Sequence, residues 1–197
     1  MLTKTQIAVM QIFTSKITER FSILEISKLL KKPYALIHRS IKPLIEKNFL
    51  IKDRKELLSL NYKENISEIS YIESIRKQNF LSKDKTLALF TKDTITQKDL
   101  NFFILLIFGS SIEKDNPKDI DILLILENEE KIEEIEKILK NVSSNFNKKF
   151  DINVISVKSV KEMLSKREEP NLINETLNKH ILLFGAENYY NILKNAR

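Results

Sequence analysis

The sequence predicts an α/β chain of the α+β kind: a helical unit ending in a hairpin, a helical connector, and a mixed β-sheet flanked by helices. Three observations carry that expectation. In the first third, apolar residues recur at helical spacing behind Thr and Ser caps. Beyond residue 101 the pattern changes to unbroken Ile- and Leu-rich runs, "NFFILLIF" and "DIDILLIL", which suit buried strands. Charge is also divided unevenly. Residues 1–65 hold 13 Lys and Arg against 6 Asp and Glu, whereas residues 66–197 hold 20 against 21. The units expected are 1–62, a connector over 63–97, and 98–197.

The N-terminal elements follow in order. Thr3 caps a helix to Ser15 with Ile7, Met10, Ile12 and Phe13 on its apolar side. Ser22 caps a second, "ILEISKLLKK", with Ile23, Ile26, Leu29 and Leu30 inward. Pro33 fits the first position of a third, "PYALIHRSIKPLIEKNFL", where its missing N–H costs nothing. That helix buries Leu36, Ile37, Ile41, Leu44 and Ile45 and leaves Tyr34, His38, Arg39 and Lys42 outside, with Pro43 expected to kink it. "LIKDRKELLSL" reads as two short strands around a charged turn.

Three short helices and a hairpin resemble the winged helix-turn-helix family over about residues 3–62. The resemblance implies a third helix in the major groove and a hairpin on the DNA backbone. Tyr34, His38, Arg39 and Lys42 would then face DNA, and Lys52, Arg54 and Lys55 would neutralise phosphates. The same fold also serves protein contacts or a homodimer.

In the connector, Ile66, Ile69, Ile72, Ile75 and Leu81 form a helical stripe, and "KTLALF" starts another helix. With no Gly/Ser-rich or Pro-rich stretch, packed helix rather than a flexible tether should join the two units.

Strand direction in the last unit follows from link lengths. Ten residues, Gly109 to Lys118, separate the first two strands, too few for a parallel crossover, so the pair should be antiparallel. The helix "NEEKIEEIEKILKNV", with Ile132, Ile135, Ile138 and Leu139 on one face, leads to a third strand, Phe150 to Val157, expected parallel to the second. Gly109, Asp119, Asp121 and Asp151 therefore meet at one sheet edge. Asp119 and Asp121 share a face about 7 Å apart at Cα.

Three ionised carboxylates so placed call for a cation, and all-oxygen donors suit Mg²⁺ or Mn²⁺. Such an ion can bridge a nucleoside triphosphate and favour in-line attack on its α-phosphorus. Gly109 lets backbone N–H groups approach a phosphate, and Ser110 and Ser111 add hydroxyls.

"FGS", then "DID" on a strand, then a strand acid resembles the polymerase-beta-type nucleotidyltransferase fold, more closely the minimal nucleotidyltransferases. The resemblance covers about residues 98–190 and takes in "NLINETLNKHILLFGAENYYNIL" with its turn at Gly185. It implies that Gly109, Ser110 and Ser111 bind the triphosphate and that Asp119 and Asp121 bind metal. Asp151 would be the third acid, activating an acceptor hydroxyl directly or through metal.

The family transfers a nucleoside monophosphate, often AMP from ATP, to a protein, RNA or small-molecule hydroxyl. Some members are antitoxins that AMPylate a partner ribonuclease toxin. Here eight residues separate Ser110 from Asp119, the family's Arg-Gly is missing, and Lys118 stands where a Ser usually precedes the first Asp. Lys114 or Lys118 would supply the loop's positive charge. The alternative is a DNA-binding regulator whose second unit is inactive and binds only nucleotide or a partner protein.

Composition excludes other classes. Two glycines make neither a dinucleotide fingerprint nor a P-loop, and His38 and His180 are too few for a His-based metal site. Without cysteine there is no thiol nucleophile and no disulfide. The longest apolar run, Phe102 to Phe108, is far short of the roughly 20 residues a membrane helix needs. With no secretory-signal pattern, the cytoplasm is the expected compartment. His180 reads as a packed or surface residue rather than a catalyst, and Tyr189 and Tyr190 as packing against the sheet.

Overall fold

The computed structural model describes residues 2–98, 100–114, 117–166 and 169–196. Helix α1 (Lys4–Ser15) opens with a reciprocal cap: Thr3 Oγ1 accepts from the Gln6 N–H at 3.3 Å, and Gln6 Oε1 accepts from the Thr3 N–H at 2.9 Å. Helix α2 (Ile23–Leu30) repeats the device with Ser22 and Glu25. Helix α3 (Tyr34–Glu46) starts one residue later than expected, with Pro33 as its cap, and continues through Pro43 to Glu46.

Strands β1 (Leu50–Lys52) and β2 (Leu58–Leu60) pair antiparallel. Asp53 Oδ1 closes their turn by accepting from the Lys55 and Leu57 N–H groups. Met10, Phe13, Ile26, Ile37, Ile41, Leu44 and Leu58 fill the interior. Leu29 is not among them and is 56% exposed. On a two-turn helix it lies about 100° round from the Ile23–Ile26–Leu30 stripe, so the short α2 cannot turn both inward.

Helices α4 (Ile66–Leu81) and α5 (Lys85–Ile95) form the connector, the second capped by Asp84. The last unit runs β3 (Phe103–Phe108), a 3-10 turn at Gly109–Ile112, β4 (Asp119–Leu126), α6 (Ile132–Ser144) and β5 (Lys149–Ser156). Then come α7 (Val157–Ser165), α8 (Leu172–Thr176), β6 (His180–Phe184) and α9 (Ala186–Ala196).

The sheet order is β5-β4-β3-β6, with β3 antiparallel to β4 and β6 and β4 parallel to β5, as the link lengths predict. Val157 opens α7 rather than ending the third strand, because Ser156 Oγ accepts from the Ser159 N–H and caps a helix there.

Strand alternation divides the core in two. Phe103, Leu105, Ile107, Ile122 and Leu124 share a cluster with Leu87, Phe90, Ile135 and Leu139 of α5 and α6. Ile104, Leu106, Leu123 and Ile125 belong to a cluster that continues through Ile69, Ile72, Tyr189 and Tyr190 into Met10 and Phe13. The N-terminal unit therefore shares its core with one face of the sheet.

A buried polar joint reinforces that seam. Arg76 donates to Thr14 O (3.0 Å) in α1, to Glu73 Oε2 (2.6 Å) and to His180 O (2.6 Å) in β6. The Tyr190 hydroxyl donates to Glu73 Oε1 at 2.7 Å. Burial pushes the Glu73 carboxyl up, but Arg76, His180 and Tyr190 outweigh it and hold it below its ordinary value. Nearby, the Ile17 N–H donates to Leu177 O at 3.0 Å, and the Asn178 amide binds both Thr18 N–H and Thr18 Oγ1. Among the described residues, no helix is long and apolar enough to cross a membrane.

Candidate active site

The sheet brings the predicted acids to one edge. Asp121 pairs in register with Phe108 on one side and with Asp151 on the other, and Asp119 stands opposite Lys149. Residues two apart share a face, so Asp119 and Asp121 extend the row that buries Leu123 and Ile125 further along β4. The row is apolar where it packs with Val160 and Leu164 of α7 and acidic where it emerges.

Gly109 ends β3 with φ +70°, and a Cβ there would lie 2.9 Å from Asp121 Oδ2 and 3.7 Å from Glu175 Oε1. The left-handed backbone conformation therefore favours glycine, and the nearest atoms to such a Cβ are side-chain oxygens that can shift. The close approach brings the β3 terminus and the carboxylates into one site.

Glu175 is the residue that sequence reasoning missed. It lies on α8, where Asn171 caps the helix by accepting from the Asn174 N–H at 2.9 Å and Ile173 and Thr176 are buried. Burial, then the charges of Asp151, Glu175 and Asp119, push the Asp121 carboxyl above its ordinary value. A cavity of about 490 Å³ lined by Pro170, Asn171, Asn174 and Glu175 adjoins the cluster. A larger cavity, about 700 Å³, lies elsewhere, against Leu2, Ile7, Phe49 and Tyr71 of the N-terminal unit and α4.

The phosphate side departs from expectation. The Gly109 N–H donates to Lys179 O at 3.3 Å, so this group is already used. Ser111 is buried, and its hydroxyl proton goes to Phe108 O at 2.8 Å. Ser110, Lys114 and Lys118 are exposed, while Asp115 and Asn116 of the same loop lie outside the described residues. Lys179 pairs with Glu113 at 2.9 Å and Lys149 with Asp119 at 2.9 Å.

Among the described residues no group of three or more His, Asp or Glu side chains is already gathered around a metal position. The donor chemistry nevertheless fits a hard divalent ion: Asp121 and Asp151 are level on adjacent strands, Asp119 is on the same face, and every donor is oxygen. Gly109 also leaves open the space beside Asp121 that a Cβ would fill.

The residues expected to meet DNA all lie outward. Tyr34, 50% exposed, stacks on His38 at 6.1 Å. Arg39, Arg54 and Lys55 are exposed and make no ion pair among the described residues, whereas Lys42 pairs with Glu46 and Lys52 with Glu56. Comparison with protein-family models, with curated proteins and with solved structures returns no match.

Proposed function

We propose that the protein is a Mg²⁺-dependent nucleotidyltransferase that moves a nucleoside monophosphate, AMP from ATP, to a hydroxyl acceptor, with an N-terminal unit that binds DNA. The observation that carries this reading is the contact between Gly109 and Asp121. A strand-end glycine in a left-handed conformation lies against a carboxylate that is level with Asp151 and whose pKa is raised by burial and then by its acidic neighbours.

Asp119, Asp121 and Asp151 are the residues that would hold Mg²⁺, which supplies Lewis acidity and neutralises phosphate charge. Ser110 donates to a phosphate oxygen, and Lys118 and Lys114 add positive charge beside it. Asp151, exposed on the edge strand, accepts the acceptor's hydroxyl proton. The new bond joins the acceptor oxygen to the α-phosphorus, the bond from that phosphorus to the β-phosphate oxygen breaks, and pyrophosphate leaves. Spread over exposed positions, the cations of α3 and the β1–β2 turn suit the phosphates of a duplex.

Incubation with α-³²P-labelled ATP, Mg²⁺ and cell lysate tests the reading. Label should move to an acceptor with the wild-type chain and not with Asp119→Ala plus Asp121→Ala. Transfer that survives the double substitution rules out this site.

A second reading, a DNA-binding regulator whose acid face binds nucleotide or a partner protein without transfer, draws support from the Lys149 ion pair that engages Asp119. Nucleotide binding without label transfer to any acceptor would favour it.

A further inference from the structure

The parallel register of β4 and β5 places two pairs at the mouth of the sheet, Asp119 opposite Lys149 and Asp121 opposite Asp151. All four residues share one face, so a single ammonium stands in a row of three carboxylates. Lys149 Nζ lies 2.9 Å from Asp119 Oδ1, and the bond to Asp119, then the charges of Asp119 and Asp151, hold the ammonium above its ordinary pKa. The side chain is 76% exposed, so neither packing nor a second partner among the described residues confines it. Another cation near this edge, Lys179, is engaged by Glu113.

Asp119 Oδ1 is thus occupied by an internal cation at the position where a divalent ion would need it. We propose that Lys149 is a counter-ion that changes partner: it holds Asp119 in the free protein, yields that oxygen to the divalent ion, and then pairs with a phosphate oxygen of the incoming triphosphate. This rests on the nucleotidyltransferase reading of the acid face and adds to it a residue that sets the order of binding. A cation alone must displace the ammonium, whereas a cation arriving with a triphosphate gives the ammonium a new partner.

The two roles predict opposite signs for one substitution. Lys149→Met keeps the apolar stem on an exposed edge-strand position and removes the charge. With the full-length chain, Mn²⁺ alone, followed by the electron paramagnetic resonance of the free ion, should bind about two- to five-fold more tightly to K149M, the scale expected for loss of an exposed ion pair. ATP titrated calorimetrically in saturating Mn²⁺ should bind several-fold more weakly. Lys149→Arg should restore both values towards wild type. A structural fault in β5 would move both affinities the same way and would overturn the proposal. Unchanged Mn²⁺ affinity would overturn it too, leaving Lys149 as a charge that protects an open sheet edge.

Asp121→Asn separates this outcome from failure of the underlying reading. If the wild-type chain binds no Mn²⁺, or D121N binds it equally well, the metal site itself is refuted. If Mn²⁺ binding needs Asp121 but ignores Lys149, only the lysine's role falls.

Discussion

In the N-terminal unit, like charges are spread over water-facing positions. Arg39, Arg54 and Lys55 are exposed, and Lys42 and Lys52 each have a surface partner four residues on. At the mouth of the sheet, Asp119, Asp121, Asp151 and Glu175 crowd the end of a face whose interior buries Leu123 and Ile125. Spread cations are screened by solvent and cost the fold little, so the unit can hold them ready for an extended polyanion. Crowded carboxylates beside an apolar floor lose hydration and repel each other, and burial first, then the neighbouring charges, raise the Asp121 pKa. Between the two lies a third arrangement, the buried Glu73–Arg76 pair, where charge is tolerated because nearly every polar atom has a partner.

Substitutions can break this comparison at each point. The largest effect belongs to the joint. Arg76→Met strands Glu73, which is 1% exposed, and leaves Thr14 O and His180 O unpaired. Urea unfolding should show a loss of about 3–5 kcal/mol, the usual cost of removing one partner of a buried ion pair.

The two glycines separate fold from site. At Gly185, φ +76°, a Cβ would lie 2.6 Å from the Phe103 backbone oxygen, which cannot move aside as a side chain can. Gly185→Ala should therefore cost about 2–4 kcal/mol, from left-handed strain together with overpacking. Gly109→Ala meets a side chain that can move, Asp121. Its stability loss should be about 1–2 kcal/mol, the strain alone, while Mn²⁺ binding, followed by the resonance of the free ion, is lost.

The basic unit is broken by charge rather than by packing. Arg54→Ala plus Lys55→Ala should leave the melting temperature nearly unchanged. In fluorescence anisotropy with duplex DNA, the slope of log affinity against log salt should fall by about 0.9 for each phosphate contact removed.

Asp121→Asn should shift stability only slightly, and upward. The folded chain binds a proton at Asp121 more tightly than the unfolded chain does, so ionisation of this group disfavours the fold. That cost is fully present above the folded pKa, fades as pH falls through it, and is gone below the unfolded value. D121N should melt about 1–2 °C higher than wild type at pH 7 without divalent ions, with the gap closing on acidification.

Where backbone geometry decides, the site was legible in the sequence. A ten-residue link fixes β3 and β4 as antiparallel, and a helical crossover fixes β5 as parallel to β4. Those two directions alone put Gly109, Asp119, Asp121 and Asp151 at one edge. The caps of α1 and α2 were equally local, each closed within three residues. Helix α7 carried a readable signal in Ser156 and the Val160–Leu164 spacing, but that signal ran directly on from the strand "FDINVIS". Leu29 misled because apolar identity does not say which residues of a two-turn helix face inward.

The sequence by itself determined that the chain is α+β, that its basic excess lies in the first third, and that three aspartates share a sheet edge with a glycine. These follow from periodicity, link length and composition, all of which act over a few residues. Only the tertiary structure decided the partners of the side chains. It set Glu175 beside Gly109, gave the Ser111 proton to Phe108 and the Gly109 N–H to Lys179, paired Lys149 with Asp119, and linked Thr14, Glu73 and His180 through Arg76. Most of those partners lie tens of residues apart or more, and their meeting depends on how whole faces pack, which no local pattern encodes.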